Sequence, residues 1–217
     1  MRHLNYEFTV HLDFAHFFPS VSSNMLFRSL QIQNIELDDY DQSIIQKICF
    51  RNTNMSYYLS IGSPTSPIIS NIIMKEFDDY FMGYAARYSS SYTRYADDLW
   101  FSTNSYKQRN DFCNDVTDYL KRNDWLLQIN QQKTYFSRKN QAHHIAGLVI
   151  TEKQEIKVPR KIKRYIRSLL FDKDFDFDKK QILNGYISYI RDNEPSYLNN
   201  LIKKYGKVYY KKIIQEN

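Results

Sequence analysis

The chain has 217 residues, 42% hydrophobic and 25% charged, with a net charge of +6 and a pI of about 9.1. That balance supports a packed core of one large or two small domains and excludes wholesale disorder. Two cysteines without a CxxC indicate neither a disulfide framework nor a zinc site and make the cytoplasm the expected compartment; no apolar run approaches the roughly 20 residues that span a bilayer, so no membrane partner is expected.

In chain order, residues 6–14 alternate Phe8, Val10, Leu12 and Phe14, which predicts a strand. Ser23 or Asn24 is placed to cap a helix over about 25–31, and Asp41 one that runs to about Phe50. Gly62 and Pro64 punctuate the chain, and Pro67 then suits the first turn of a long helix to Arg87, with Ile69, Ile72, Ile73, Phe77 and Phe81 on its apolar side. Two short strands, Ser91–Tyr95 and Leu99–Ser102, flank Ala96-Asp97-Asp98. A helix over 107–123 follows, and 125–129, 134–138 and 144–150 read as extended. The order is a β-α-β-β-α-β pattern with an inserted helical segment, an α+β fold with an antiparallel sheet backed by helices. After Pro159, the residues Ile162, Tyr165, Ile166, Leu169 and Leu170 line one side of a helix. Arg160, Lys163, Arg164 and Arg167 line the other. Helices over 179–191 and 195–213 complete the chain. We expect two domains, 1–158 and a basic helical 159–217.

Charge is distributed unevenly. Residues 1–159 carry 16 Lys/Arg against 17 Asp/Glu, and residues 160–217 carry 14 against 7. Such asymmetry fits a neutral body with a basic appendage that meets phosphate, and equally a lysine-rich solvated tail.

Asp13 ends the first strand, and Asp97 and Asp98 sit in a hairpin turn beside Tyr95, Leu99, Trp100 and Phe101. Adjacent acids among apolar groups need solvent or a cation. A strand beside that hairpin would bring Asp13 to them and build a site for hard cations that also bind substrate phosphate. The alternative is a polar turn with an unrelated strand-end acid. His143 and His144 lack spaced acid or Cys partners, which favours hydrogen-bonding or surface roles.

Read together, the local strings resemble a family. Tyr95-Ala96-Asp97-Asp98 resembles the YxDD box of reverse transcriptases, VHLDFAHFFPS (10–20) their first palm motif, and GSPTSPIISN (62–71) the GxPTSPxxxN motif of the bacterial retron-type and defence-associated members. NQQKT (130–134), IAGLVIT (145–151) and the thumb-like strings RKIKRYIRSLL and GYISYIRDNEPSYLNNLIKKYG follow in the family's order. The resemblance implies a right-hand polymerase palm with a small helical thumb and RNA-directed DNA synthesis. It also implies two Mg²⁺ ions, with Mn²⁺ as a substitute.

By the same resemblance, Asp13 and Asp97 are the principal metal ligands, with Asp98 beside them and the Phe14 carbonyl as a further ligand. Phe18 is the gate that excludes a ribose 2′-OH, and Lys133 is a general acid toward the leaving pyrophosphate. Gly62, Ser66, Pro67 and Asn71 shape the nucleotide and template pocket, and Gly147 grips the primer terminus. Arg160, Lys163, Arg164 and Arg167 track the nucleic-acid backbone. The partners implied are an RNA template and primer, such as a cognate non-coding RNA, and dNTPs; a role in antiviral defence is also implied.

Two departures stand out. Ile61 replaces the usual Gln before the motif glycine. Only twelve residues precede Asp13, so the fingers are expected to be largely missing and completed by a protein subunit or an RNA. The competing readings are an RNA-binding scaffold subunit that does not turn over, and one half of a split or untemplated polymerase.

Overall fold

The computed structural model describes residues 2–53, 56–172 and 174–209. Two compact units divide at 139/140.

In the first unit, β1 (Phe8–Ala15) is the central strand of a five-stranded sheet. α1 (Phe17–Ser20), α2 (Ser23–Ile32) and α3 (Asp39–Cys49) follow, then a hairpin of β2 (Arg51–Thr53) and β3 (Ser56–Tyr58). The cap of α2 is Ser22, and α3 is capped by Asp38, whose carboxylate accepts from the Asp41 amide at 2.7 Å. α1 and the β2–β3 hairpin were not legible in sequence, being too short to show a period.

α4 (Ser66–Ile73) and α5 (Lys75–Arg87) replace the single long helix expected from Pro67. The break is Met74, whose ψ of −2° departs from the helical value of about −42°. Its amide still bonds to the Ser70 carbonyl at 2.9 Å, and Ile69, Ile73, Phe77 and Phe81 stay on one buried side. β4 (Ser91–Tyr95) and β5 (Asp98–Thr103) form the expected hairpin, and α6 (Tyr106–Arg122) follows. β6 (Gln128–Ile129) and β7 (Tyr135–Arg138) both pair with the free edge of β1, the first at Phe14–Ala15 and the second at Phe8–His11.

Strand alternation gives the sheet two unlike faces. Val10, Leu12, Phe14, Leu99 and Phe101 meet Phe77, Phe81, Phe112, Val116 and Leu120 of α5 and α6 in one aromatic-rich core. Phe77 lies at its middle, in contact with the rings of Phe14, Phe81, Tyr119 and Trp125. The other face carries Thr9, His11, Asp13, Asp98, Trp100 and Ser102. Its polar groups bond to each other: Thr9 and Ser102 hydroxyls lie 2.8 Å apart, and His3 bridges Ser102 and Thr93 at 2.9 and 2.8 Å.

The second unit begins with β8 (His143–Ile145), β9 (Leu148–Ile150) and β10 (Ile156–Lys157), a three-stranded antiparallel sheet. The single extended segment expected over 144–150 is therefore a hairpin that turns at Ala146 and Gly147, both with positive φ. α7 (Arg160–Phe171), α8 (Phe177–Asn193) and α9 (Pro195–Tyr209) complete it, with α9 kinked at Tyr205. The expectation for 210–213 falls outside the described residues.

Leu148 and Val158 bury against Ile166, Leu170, Leu183, Ile187 and Ile190. That packing is why the unit boundary lies at 139/140, ahead of the expected 158/159: the small sheet shares its core with the helices that follow it.

Candidate active site

Three chain segments converge on Asp13. β1 and β5 run antiparallel with Asp13 opposite Asp98, and the Phe14 amide donates to the Asp97 carbonyl at 3.0 Å. On the opposite edge the Asn130 amide donates to the Asp13 carbonyl at 2.7 Å. Asp13 is only 4% exposed. Its Oδ2 accepts from Lys133 Nζ at 3.0 Å, and its buried Oδ1 has no hydrogen-bond partner among the described residues.

Asp97 occupies the second position of the β4–β5 loop. Burial pushes its carboxyl pKa up, and the Asp13 and Asp98 carboxylates add to that, against a backbone hydrogen bond and Lys133. Lys133 is held above its ordinary value chiefly by its hydrogen bond to Asp13.

Asp98 faces a different partner. His11 Nε2 bonds to Asp98 Oδ1 at 2.6 Å, and Nδ1 lies 3.2 Å from the Lys133 carbonyl oxygen. The His11 ring stacks on Tyr135 at 4.7 Å and tilts against Trp100 at 5.2 Å.

No group of three His, Cys, Asp or Glu among the described residues is gathered as a closed metal cage. The donors present fit a different case. Two carboxylates, one with an orphaned buried oxygen and one whose charged form is disfavoured by burial and then by its neighbours' charge, suit a hard cation whose other ligands come from water and substrate phosphate.

The turn bearing Asp97 is braced by a residue that the sequence reading did not single out. Ala96 has φ +52°, an uncommon conformation for a residue with a Cβ. Arg94 Nη1 donates to the Ala96 carbonyl at 2.9 Å. The same guanidinium forks onto Asp78 of α5 through Nε and Nη2, both at under 3 Å, and Nη2 also donates to Asn71 Oδ1 at 3.1 Å. Arg94 is 4% exposed as a side chain, and Tyr92 supplies Asp78 with a further donor at 2.8 Å. Nothing local to Arg94 points to Asp78, because the contact is made by packing α5 on the sheet. His11 did carry a signal: alternation puts it on the face of Asp13.

Other expected site residues are placed as follows. Phe18 is half-buried and tilts against Phe17, which fills the core with Phe14. The Phe14 ring is fully buried, leaving its backbone as the part facing the site's strands. Gly62 takes φ +84° in an exposed turn, and Pro67 sits in the first turn of α4 as expected. Ser66 differs: its hydroxyl turns inward and donates to the Ser60 carbonyl at 2.8 Å, so it shapes the loop. Asn71 is exposed and held by Arg94. Ile61 is 79% exposed, an apolar side chain with no cover in its own unit.

In the second unit, Gly147 holds the φ +79° of the β8–β9 turn. Arg160, Arg164 and Arg167 are exposed along α7. Lys163 departs from that face. It reaches inward to the buried Glu194 at 2.6 Å and lies over the Tyr197 ring, leaving it 16% exposed. Glu194 also accepts from the Val158 amide at 2.8 Å, and a buried carboxylate of this kind requires such partners. His143 is buried and faces the Gln141 carbonyl at 3.1 Å, while His144 is exposed, in keeping with structural roles.

Residues 1–159 match the family described as reverse transcriptase (RNA-dependent DNA polymerase). The chain is 32% identical to the Retron Ec83 reverse transcriptase of Escherichia coli, over 97% of this chain and 70% of that protein. It is 30% identical to the Retron Ec73 reverse transcriptase of the same organism, over 92% and 66%. The chain thus spans about two thirds of the length of these relatives. Among solved structures it resembles a foamy viral protease-reverse transcriptase in complex with RNA/DNA hybrid (TM-score 0.57, 14% identity, 88% of this chain and 22% of that one). It also resembles a Candida albicans telomerase with a fragment of telomeric RNA (TM-score 0.58, 12% identity, 94% and 40%). At these identities the likeness is one of fold.

Proposed function

The chain belongs to the reverse transcriptase (RNA-dependent DNA polymerase) family, in its retron type, and from that premise we propose that it copies an RNA template into DNA by two-metal nucleotidyl transfer. The observation that carries the reading is the convergence of Asp13 on the Asp97 turn, with an unpartnered buried oxygen on Asp13 and Lys133 beside it. Asp13, Asp97 and the Phe14 carbonyl would hold Mg²⁺, with Asp98 adjacent. Bound Mg²⁺ supplies electrostatic stabilisation of the attacking and leaving oxygens in this class of reaction.

The protein's own groups have separate tasks. Lys133 stays protonated near neutral pH and so has a proton to give to departing pyrophosphate. Phe18, less buried than Phe17, is available to exclude a ribose 2′-OH. Gly62, Pro67 and the inward-bonded Ser66 shape a tight loop beside α4, and Asn71 is presented in a fixed orientation. Gly147 grips the primer terminus, and Arg160, Arg164 and Arg167 track backbone phosphates without reading sequence. The substrates are dNTPs, on a template and primer such as a cognate non-coding RNA. The reaction takes place in the cytoplasm in a role such as antiviral defence.

The test is labelled dNTP incorporation on an RNA template–primer with Mg²⁺, beside the Asp97→Ala/Asp98→Ala double variant. Incorporation by the wild type, lowered about 1000-fold or more in the variant, is expected. No incorporation by a chain that still binds RNA tightly overturns the catalytic reading and leaves an RNA-binding scaffold subunit.

A further inference from the structure

We infer that His11 is a positioning residue for the polymerase centre: one buried ring holds Asp98 at one end and the loop that carries Lys133 at the other. The inference rests on the reading of Asp13, Asp97 and Lys133 as the reacting cluster.

His11 precedes Asp13 by two residues, so both side chains project from the same face of β1. Its imidazole is buried at 8% exposure, an unfavourable place for a polar ring unless both nitrogens find partners. They do, on two different segments. Nε2 bonds to Asp98 at 2.6 Å, and Nδ1 meets the Lys133 carbonyl at 3.2 Å.

Tyr135 and Trp100, the residues opposite His11 on β7 and β5, sandwich the ring and leave it little freedom to turn. The short hydrogen bond therefore fixes which way the Asp98 carboxylate points. With Asp98 drawn toward His11, Asp97 is the turn carboxylate left to work with Asp13. The second hydrogen bond anchors Lys133's backbone while its ammonium reaches the Asp13 carboxylate at 3.0 Å. One side chain thereby sets the geometry of an acid and a cation that come from separate parts of the chain. Displacement of a reacting group by about 1 Å can cost on the order of 100-fold in rate, so a clamp of this kind carries kinetic weight.

Two substitutions separate the clamp from simple packing. His11→Phe keeps an aromatic ring between Tyr135 and Trp100 and removes both hydrogen bonds. His11→Gln keeps an N–H that reaches Asp98. Steady-state dNTP incorporation on an RNA template–primer, Mn²⁺ binding followed by electron paramagnetic resonance without nucleotide, and thermal unfolding are measured on the full chain.

His11→Phe is expected to lower kcat by about 10- to 100-fold with KM for dNTP changed by less than about 3-fold, and to weaken Mn²⁺ binding several-fold. His11→Gln is expected to recover most of both. Equal kcat and Mn²⁺ binding in a folded His11→Phe overturns the inference. So does a loss in His11→Gln as large as or larger than that in His11→Phe, which would show that the hydrogen bond to Asp98 is not what the ring supplies. Should His11→Phe fail to fold, a His11→Gln chain that folds yet falls to background in both readouts overturns it, and near-wild-type values there uphold it. A wild type that binds Mn²⁺ but incorporates nothing sinks the polymerase reading instead, and the Mn²⁺ comparison still decides the role of His11.

Discussion

Asp13 has one oxygen on an ammonium and the other on no partner among the described residues, in surroundings where an unsatisfied carboxylate oxygen is costly. Arg94 is its opposite: every arm of the guanidinium is engaged, on Asp78, Asn71 and the Ala96 carbonyl. The contrast is the one expected between a proposed metal ligand and a residue that holds the frame. A Lys in place of Arg94 keeps the charge but cannot fork onto Asp78 while reaching Ala96. Arg94→Lys is expected to cost about 2–4 kcal/mol by urea denaturation, since a buried pair loses most of its geometry. It should also lower incorporation at least about 10-fold by loosening the strained turn under Asp97. Unchanged stability and activity together would show that the brace is dispensable. Asp13, Asp97 and Asp98 were legible because acids at a strand end and in a hairpin turn carry a local pattern. Arg94 was not, because its partner is set by the docking of a helix.

At the scale of elements, period was the readable signal. β1, the β4–β5 hairpin, α6 and α7 each alternate or repeat over enough residues to declare themselves, and each appears close to its expected span. α1, β2, β3 and β10 are each four residues or shorter and have no period to read. The break at Met74 was hidden for a related reason, as the apolar spacing runs straight through it. That continuous stripe places Phe77 at the centre of the first core, among four other rings. Phe77→Ala is expected to destabilise the first unit by about 3–5 kcal/mol, read as a fall in the denaturation midpoint at an unchanged slope. A loss below about 1 kcal/mol would mean that the aromatic cluster collapses to fill the space.

For the molecule as a whole, charge asymmetry makes the clearest quantitative statement. The positive excess lies in residues 160–217, and α7 exposes Arg160, Arg164 and Arg167 while Lys163 is occupied by Glu194. If the three arginines each meet a phosphate, replacing all three by Gln should reduce the slope of log affinity against log salt by about 2–3, and weaken binding alike on unrelated template–primer sequences. Lys163→Gln should change the slope by less than the average arginine and should instead destabilise the second unit, since it leaves Glu194 short of a cation. A salt slope indifferent to the arginines would place the nucleic acid elsewhere.

The sequence by itself determined the family, the α+β class, most of the longer elements and the acids of the candidate site. All of these rest on short-range pattern: alternation, helical spacing, and motif strings in order. Tertiary structure alone decided that Asp98 belongs to His11, that Arg94 braces the Asp97 turn, that Ser66 and Lys163 turn inward, and that the small sheet after residue 139 joins the helical unit. Each of those outcomes depends on which distant segment packs alongside. Partner choice at that distance is set by the burial of whole faces, which no local run of residues encodes.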